Sequence, residues 1–332
     1  MRIADRRPRA APLPYGLIAM YAIATVLAVV IGVVIARRFA ATGGRSDFSA
    51  KISMADGFGM GGLSRLSPGR DAGAHAASPI AHNRIVTYYG TPRTPSMGIL
   101  GQHTPEQAAD LLAARARRFR AIDPATPVLP ALHLVYAVAQ PQSDKDGIYL
   151  SYVDDYTVRQ YLDLARRRGF VLILDLQIGH SNALAEVQKV AKYLAEPDVF
   201  VALDPEFALH GTTRPGEAIG TIDASDVNAV QWYLGKFSEQ RQLPKKMLIV
   251  HQFQAEMITS ADAIEHHDDV DLVVDMDGYG PAGIKLVKYA RYGAAPYAAF
   301  GGIKVFLEQD PDPLTERQLL SLTPKASLFV FQ

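Results

Sequence analysis

Eight short apolar runs recur along the C-terminal part of the chain, at 84–89, 131–138, 170–176, 198–204, 246–252, 271–276, 298–306 and 327–331, with helical stretches between them. Some are apolar on both faces, such as Val171-Leu172-Ile173-Leu174 and Leu272-Val273-Val274. Continuous apolarity suits strands covered on both sides, as in a parallel sheet. Parallel neighbours need a right-handed crossover, and helices fill that role here. Thr104-Pro105-Glu106-Gln107 offers a capping box with proline in the first turn. Gly280-Pro281 opens another helix. Val227, Val230, Leu234 and Phe237 set a helical step from about Ser225 to Arg241, ahead of Pro244. Eight strands over this length predict an α/β fold, a (β/α)8 TIM-like barrel, whose usual size is roughly 250 residues. Gln332 directly follows the eighth run, which leaves no residues for a last barrel helix; part of 51–82 is expected to cover that gap. An open doubly wound sheet is the alternative.

The rest of the chain reads differently. Residues 17–36 carry no charged side chain over 20 positions, a length that spans ~30 Å as a helix and matches the hydrocarbon thickness of a bilayer. The expected organisation is a short basic tail (1–12), a transmembrane anchor (13–39), a Gly/Ser-rich flexible linker (40–82) and the barrel (83–332). A cleaved signal peptide is the rival reading, but its apolar region is usually shorter, roughly 7–15 residues. Arg2, Arg6, Arg7 and Arg9 precede the span; Arg37, Arg38, Arg45 and Lys51 follow it. The positive-inside signal is therefore nearly balanced. A basic N-terminus before a single span favours a single-pass cell-membrane protein with its barrel outside the cytoplasm.

Charge and cysteine content exclude several classes. Lys plus Arg and Asp plus Glu each number 34, so the basic excess of a nucleic-acid binder is missing. With no cysteine, disulfides, thiolate metal sites, a cysteine nucleophile and a lipidated N-terminal cysteine are ruled out for this chain.

In a barrel, chemistry sits at the C-terminal ends of the strands, and there the sequence turns polar. The third run ends Asp175-Leu176-Gln177, the fourth Asp204-Pro205-Glu206, the fifth His251-Gln252-Phe253 and the sixth Asp275-Met276-Asp277. Residues two apart on a strand share a face. Asp175, Asp204, Glu206, Asp275 and Asp277 are thus expected to converge on one mouth. Crowded, buried carboxyls raise one another's pKa, the condition for an acid that holds its proton near neutrality. Glycoside hydrolysis places such an acid opposite a second carboxylate. Glu206 is the expected general acid and Asp204 its assistant; Asp175, Asp275 or Asp277 would be nucleophile, base or substrate clamp. Taken singly, each aspartate is as readily a helix cap or an ion-pair partner. The Asp-x-Glu resembles the fourth-strand motif of family 18 and family 25 glycosidases. The longer Asp-x-x-Asp-x-Asp-x-Glu of family 18 is absent, since Val199-Phe200-Val201-Ala202-Leu203 precede Asp204.

Substrate contacts are expected from Tyr88, Tyr89, His133, Tyr136, Gln177, His251, Gln252, Tyr279 and Lys304. Tyrosines stack on sugar faces and hydrogen-bond hydroxyls, though they serve equally as core residues with a wet tip. The first run ends Tyr88-Tyr89-Gly90 and lacks the His-x-His of many metal-dependent barrel hydrolases, so no metal and no cofactor is expected. An acidic cluster holding Mg²⁺ or Ca²⁺ is the lesser alternative.

Tyr89-Gly90-Thr91-Pro92, Met97-Gly98-Ile99-Leu100-Gly101, Leu203-Asp204-Pro205-Glu206-Phe207, Val250-His251-Gln252-Phe253 and Met276-Asp277-Gly278-Tyr279-Gly280 occur in this order. As a set they resemble a poorly characterised family of bacterial envelope proteins, secreted or lipid-anchored, over about 84–332. The resemblance implies a TIM-like barrel similar to glycoside hydrolases and an envelope location. It brings no reaction with it. The expected function is a membrane-anchored glycoside hydrolase-like protein acting on an envelope or extracellular glycan. A non-catalytic glycan- or partner-binding barrel is the alternative.

Overall fold

The computed structural model describes residues 78–332. The expected tail, the span at 17–36 and most of the linker lie outside them. Among the described residues no helix is long and apolar enough to cross a membrane.

All eight apolar runs form strands: β1 (Arg84–Gly90), β2 (Val128–Ala139), β3 (Val171–Gly179), β4 (Val199–Ala208), β5 (Lys246–Gln252), β6 (Val270–Met276), β7 (Phe300–Val305) and β8 (Leu328–Phe331). Each pairs in parallel with the next, and β8 and β2 both pair with β1, which closes the ring. This closed parallel barrel settles the choice against an open sheet. The α-helices of five residues or more are α1 (Pro105–Ile122), α2 (Asp155–Arg168), α3 (Ala183–Lys189), α4 (Ala224–Arg241), α5 (Ala282–Lys288) and α6 (Glu316–Leu320).

The start signals hold locally. Thr104 and Gln107 complete the capping box of α1. Asp223 and Asp226 make a second one at α4, which ends in a left-handed Gln242. Pro281 lies one residue earlier than its sequence suggests, at the cap of α5.

Alternating strand residues divide the core in two. Ile85, Ala131, Val171, Ile173, Phe200, Ala202, Met247, Ile249, Val273, Leu328 and Val330 fill the barrel. Leu132, Leu172, Val201, Leu248, Leu272, Phe329 and Phe331 face the helices. The outward face of β8 is covered by α1: Phe119 lies 4.9 Å from Phe329 and 6.2 Å from Phe331, centroid to centroid. Arg115 of α1 sits 4.0 Å over Phe331 and bonds Glu316 of α6 at 3.0 Å. Residues 51–77 lie outside the described part. Residues 78–82, read as the end of the linker, instead belong to the barrel: the turn Pro79–Ala81 buries Ile80 among the barrel-filling side chains, and Ser78 donates to Asp271.

Two irregularities shape the mouth. β2 bulges between Val135 and Ala137. Beyond it, a short strand Leu150–Tyr152 pairs antiparallel with the end of β2. β4 pairs with β5 only over Val201–Leu203, whereas its other edge continues past Asp204, opposite Gln177, and after an irregularity to Ala208, opposite Gly179. Pro205 falls past the β5 ladder, where a missing N–H costs no strand hydrogen bond.

Candidate active site

The inward positions two residues beyond the apolar filling carry the polar groups. Thr87 and Tyr89 come from β1, His133 from β2, Asp175 and Gln177 from β3, Asp204 and Glu206 from β4, His251 from β5, Asp275 from β6, Asp277 just after it and Lys304 from β7. Pleating alone places them on one surface. Residues far apart in the chain thereby meet in one cluster.

The lower part is a fully buried chain of hydrogen bonds. Asp175 Oδ2 lies 3.0 Å from His133 Nε2 and 2.8 Å from His251 Nε2. His251 Nδ1 lies 3.0 Å from Asp275 Oδ2 and 3.5 Å from Asp277 Oδ2. His133 Nδ1 is 3.4 Å from the Thr87 hydroxyl. Tyr89 meets both rings edge-on, at 5.1 Å and 6.2 Å. Gly302 makes room for Asp275: a Cβ there would stand 2.9 Å from Asp275 Oδ1.

The electrostatics follow from this packing. Burial pushes the His251 pKa down, but the carboxylates of Asp175, Asp275 and Asp277 overcome it and hold the ring well above its ordinary range. Burial likewise pushes Asp175 up, and His251 and the two histidine hydrogen bonds pull it below the carboxylate range. His133 is lowered, chiefly by burial. Lys304 donates to Asp277 Oδ2 at 3.0 Å and lies 3.6 Å over the Tyr89 ring. Burial would discharge it, yet Asp277, Asp204 and Asp175 raise its pKa.

Above this floor the balance reverses. Asp204 accepts from the Glu206 backbone N–H at 3.1 Å, which ties the two residues together. Burial first, then Asp175 and Asp277, push Asp204 up to about 7 despite the pull of His251. Burial, with Asp204 and Asp277 beside it, pushes Glu206 up to about 8. Glu206 is half-buried, at the open end of the cluster. Near neutrality Glu206 therefore keeps most of its proton and Asp204 about half of its own, while Asp175 beneath is ionised.

Several expected site residues lie elsewhere. Tyr88 faces the helices, where its hydroxyl accepts from Arg115 at 3.1 Å and its ring packs on Phe331; the inward β1 position belongs to Tyr89. Tyr136, three residues past inward-facing His133, faces outward by the same alternation, toward Tyr152 and Tyr193; the β2 bulge flips the phase only after it, so that Ala137 also faces the helices. Gln252, one residue past inward-facing His251, points the other way and accepts from the Tyr297 hydroxyl at 3.0 Å. Gln177 is inward, but its carbonyl accepts the Ala139 N–H at 2.7 Å. Tyr279 stands at the rim, exposed, edge-on to Phe306. Asp175 and Asp275 are wholly buried and hydrogen-bonded to His133 and His251 rather than open to the mouth. Thr87 and Gly302 were missed. Thr87 had a signal, since it lies two residues before Tyr89 on the same face; Gly302 shows its use only once β6 is beside it. His133, Asp175 and His251 also present one donor atom each within 4.8 Å of one another, a set able to hold a metal ion.

No family model matches the chain, and no curated protein matches it. Among solved structures it is similar to a GH18 chitinase from Pseudoalteromonas aurantia, with 11% identity, 75% of this chain and 93% of that one covered, and a TM-score of 0.37. It is also similar to Cel5A of Thermotoga maritima in complex with cellobiose, with 10% identity, 77% and 91% covered, and a TM-score of 0.39. At these values the likeness carries nothing about activity or substrate; the barrel is established by its own strand pairing.

Proposed function

We propose that this chain is a glycoside hydrolase-like enzyme that cleaves a glycan by carboxylate acid–base chemistry. The single observation behind this reading is the Asp204/Glu206 pair, two acidic residues tied by a hydrogen bond at the mouth of the barrel and pushed up by burial and by neighbouring carboxylates, above Asp175, which two histidines hold low. Glu206 is the general acid that protonates the leaving oxygen. Asp204, fixed to the Glu206 backbone, assists. Asp277, reached by Lys304, is the carboxylate left to stabilise positive charge or activate water. Residues 17–36 tether the barrel to a membrane, with the barrel outside the cytoplasm, and the substrate is a cell-envelope or extracellular glycan. The apolar length of that span and the basic tail before it support the placement. Release of reducing ends from envelope glycans by the full chain, lost in Glu206→Gln while the circular dichroism spectrum is kept, is the expected result. Equal turnover in that variant would rule out the assignment.

A second reading, a glycan-binding barrel without turnover, has one observation in its favour. A cleft of about 230 Å³, lined by Thr91, Arg93, Gln140, Ser151, Tyr152 and Asp154 among others, lies at the ends of β1 and β2 and includes neither carboxyl of the pair. Calorimetric glycan binding with no product after long incubation would favour it.

A further inference from the structure

We infer that His133, Asp175 and His251 form a binding site for one divalent first-row transition ion, set in the barrel beneath the acid pair. The two Nε2 atoms converge on one oxygen, Asp175 Oδ2, at 3.0 Å and 2.8 Å. Donors at these separations, each about 2.1 Å from an ion, subtend roughly 85–90° at it, the edge of an octahedron. Two imidazoles and one carboxylate form a donor set suited to such ions rather than to Ca²⁺ or Mg²⁺, which take all-oxygen shells.

Three further observations point the same way. Each ring has its second nitrogen anchored, His251 Nδ1 on Asp275 at 3.0 Å and His133 Nδ1 toward Thr87 at 3.4 Å. Outer partners of this type orient metal-binding histidines. Asp175 Oδ1 is buried with no hydrogen-bond partner, so the carboxylate has an oxygen to spare for an ion. The surroundings supply further oxygens: Asp275 and Asp277 lie against His251 Nδ1 at 3.0 Å and 3.5 Å, and Lys304 reaches Asp277 at 3.0 Å.

The site stands apart from the acid reading, because neither Asp204 nor Glu206 is a ligand. The test is calorimetric titration of the full chain, stripped with a chelator, with CoCl₂ and separately ZnCl₂, alongside the visible spectrum of the cobalt form. Expected are about one ion per chain, cobalt d–d bands, and affinity lowered at least ~100-fold in His133→Gln and His251→Gln. Thr87→Val, a milder change, should weaken binding ~10-fold. Glu206→Gln should bind like wild type, which keeps failure of this inference distinct from failure of the acid assignment. Absence of binding to the wild-type chain would overturn the inference whatever the variants do. Undiminished binding in both histidine variants would overturn it too, by placing the ion elsewhere.

Discussion

Glu206 offers the most direct check on the chemistry. Its carboxyl ordinarily titrates near 4.5 and in the fold near 8. At pH 7 an acid of pKa 8 is ~90% protonated and one of 4.5 is ~0.3% protonated, a ~300-fold difference in the form able to donate. The same shift acts on stability. The unfolded chain ionises Glu206 near 4.5, whereas the folded chain resists until about 8. Stability from this group is therefore complete below pH 4.5, falls as pH rises toward 8, and levels off above it. A shift of 3.5 units would amount to ~5 kcal/mol for a fully buried, isolated acid. Glu206 is half-buried, so solvent screening reduces the expectation to ~1–2 kcal/mol. Glu206→Gln cannot ionise. It should therefore be more stable than wild type at pH 9 by that amount, with little difference at pH 4. Urea unfolding at the two pH values measures the gap, as a midpoint difference of about 0.3–0.7 M. Carboxyl ¹³C titration of the glutamate-labelled full chain should show one resonance inflecting near 8, absent from the variant. If every glutamate titrates below about 5.5, or if the variant loses as much stability as wild type between pH 4 and pH 9, the reasoning fails.

Asp204→Asn should move the Glu206 inflection downward, because it removes the nearest like charge, and the same ¹³C titration reads it. Gly302→Ala should destabilise the barrel by ~1–3 kcal/mol in urea unfolding, since its Cβ would meet Asp275 Oδ1 at 2.9 Å and Leu328 Cβ at 3.1 Å. Lys285→Met strands Asp310 in the core and should cost ~3–5 kcal/mol; Lys285→Met with Asp310→Asn should recover part of that, as a double-mutant cycle would show. Thr104→Ala should cost ~1 kcal/mol by breaking the α1 capping box, visible as a lowered Tm.

The eight strands were legible because each carries a run long and apolar enough to be buried on both faces, and because proline and glycine mark the gaps. The cover over β8 was not legible. It depends on Phe119, some 210 residues before Phe329 in the chain and brought beside it only by ring closure. Burial of such a side chain is worth about 1.5–3 kcal/mol.

The active-site misreadings share one physical origin. Strand parity predicts facing correctly where the ladder is regular, as at Asp175, Asp204 and His251. Tyr88, Tyr136 and Gln252 were chosen by residue type against the parity of Tyr89, His133 and His251, and parity won; the β2 bulge flips the phase only past Tyr136, at Ala137. The roles of Asp175 and Asp275 were hidden for a different reason. A carboxylate at a strand end reads as reactive, yet its chemistry is set by what the ring closure stacks beside it. Here two histidines occupy both aspartates, drawing the negative charge into the floor. Asp204 and Glu206, without such partners, are pushed up by burial and by the neighbouring carboxylates. The contrast follows from partners rather than depth, and because His251 pulls the acid pair down, His251→Gln should move the Glu206 inflection upward in the same ¹³C titration.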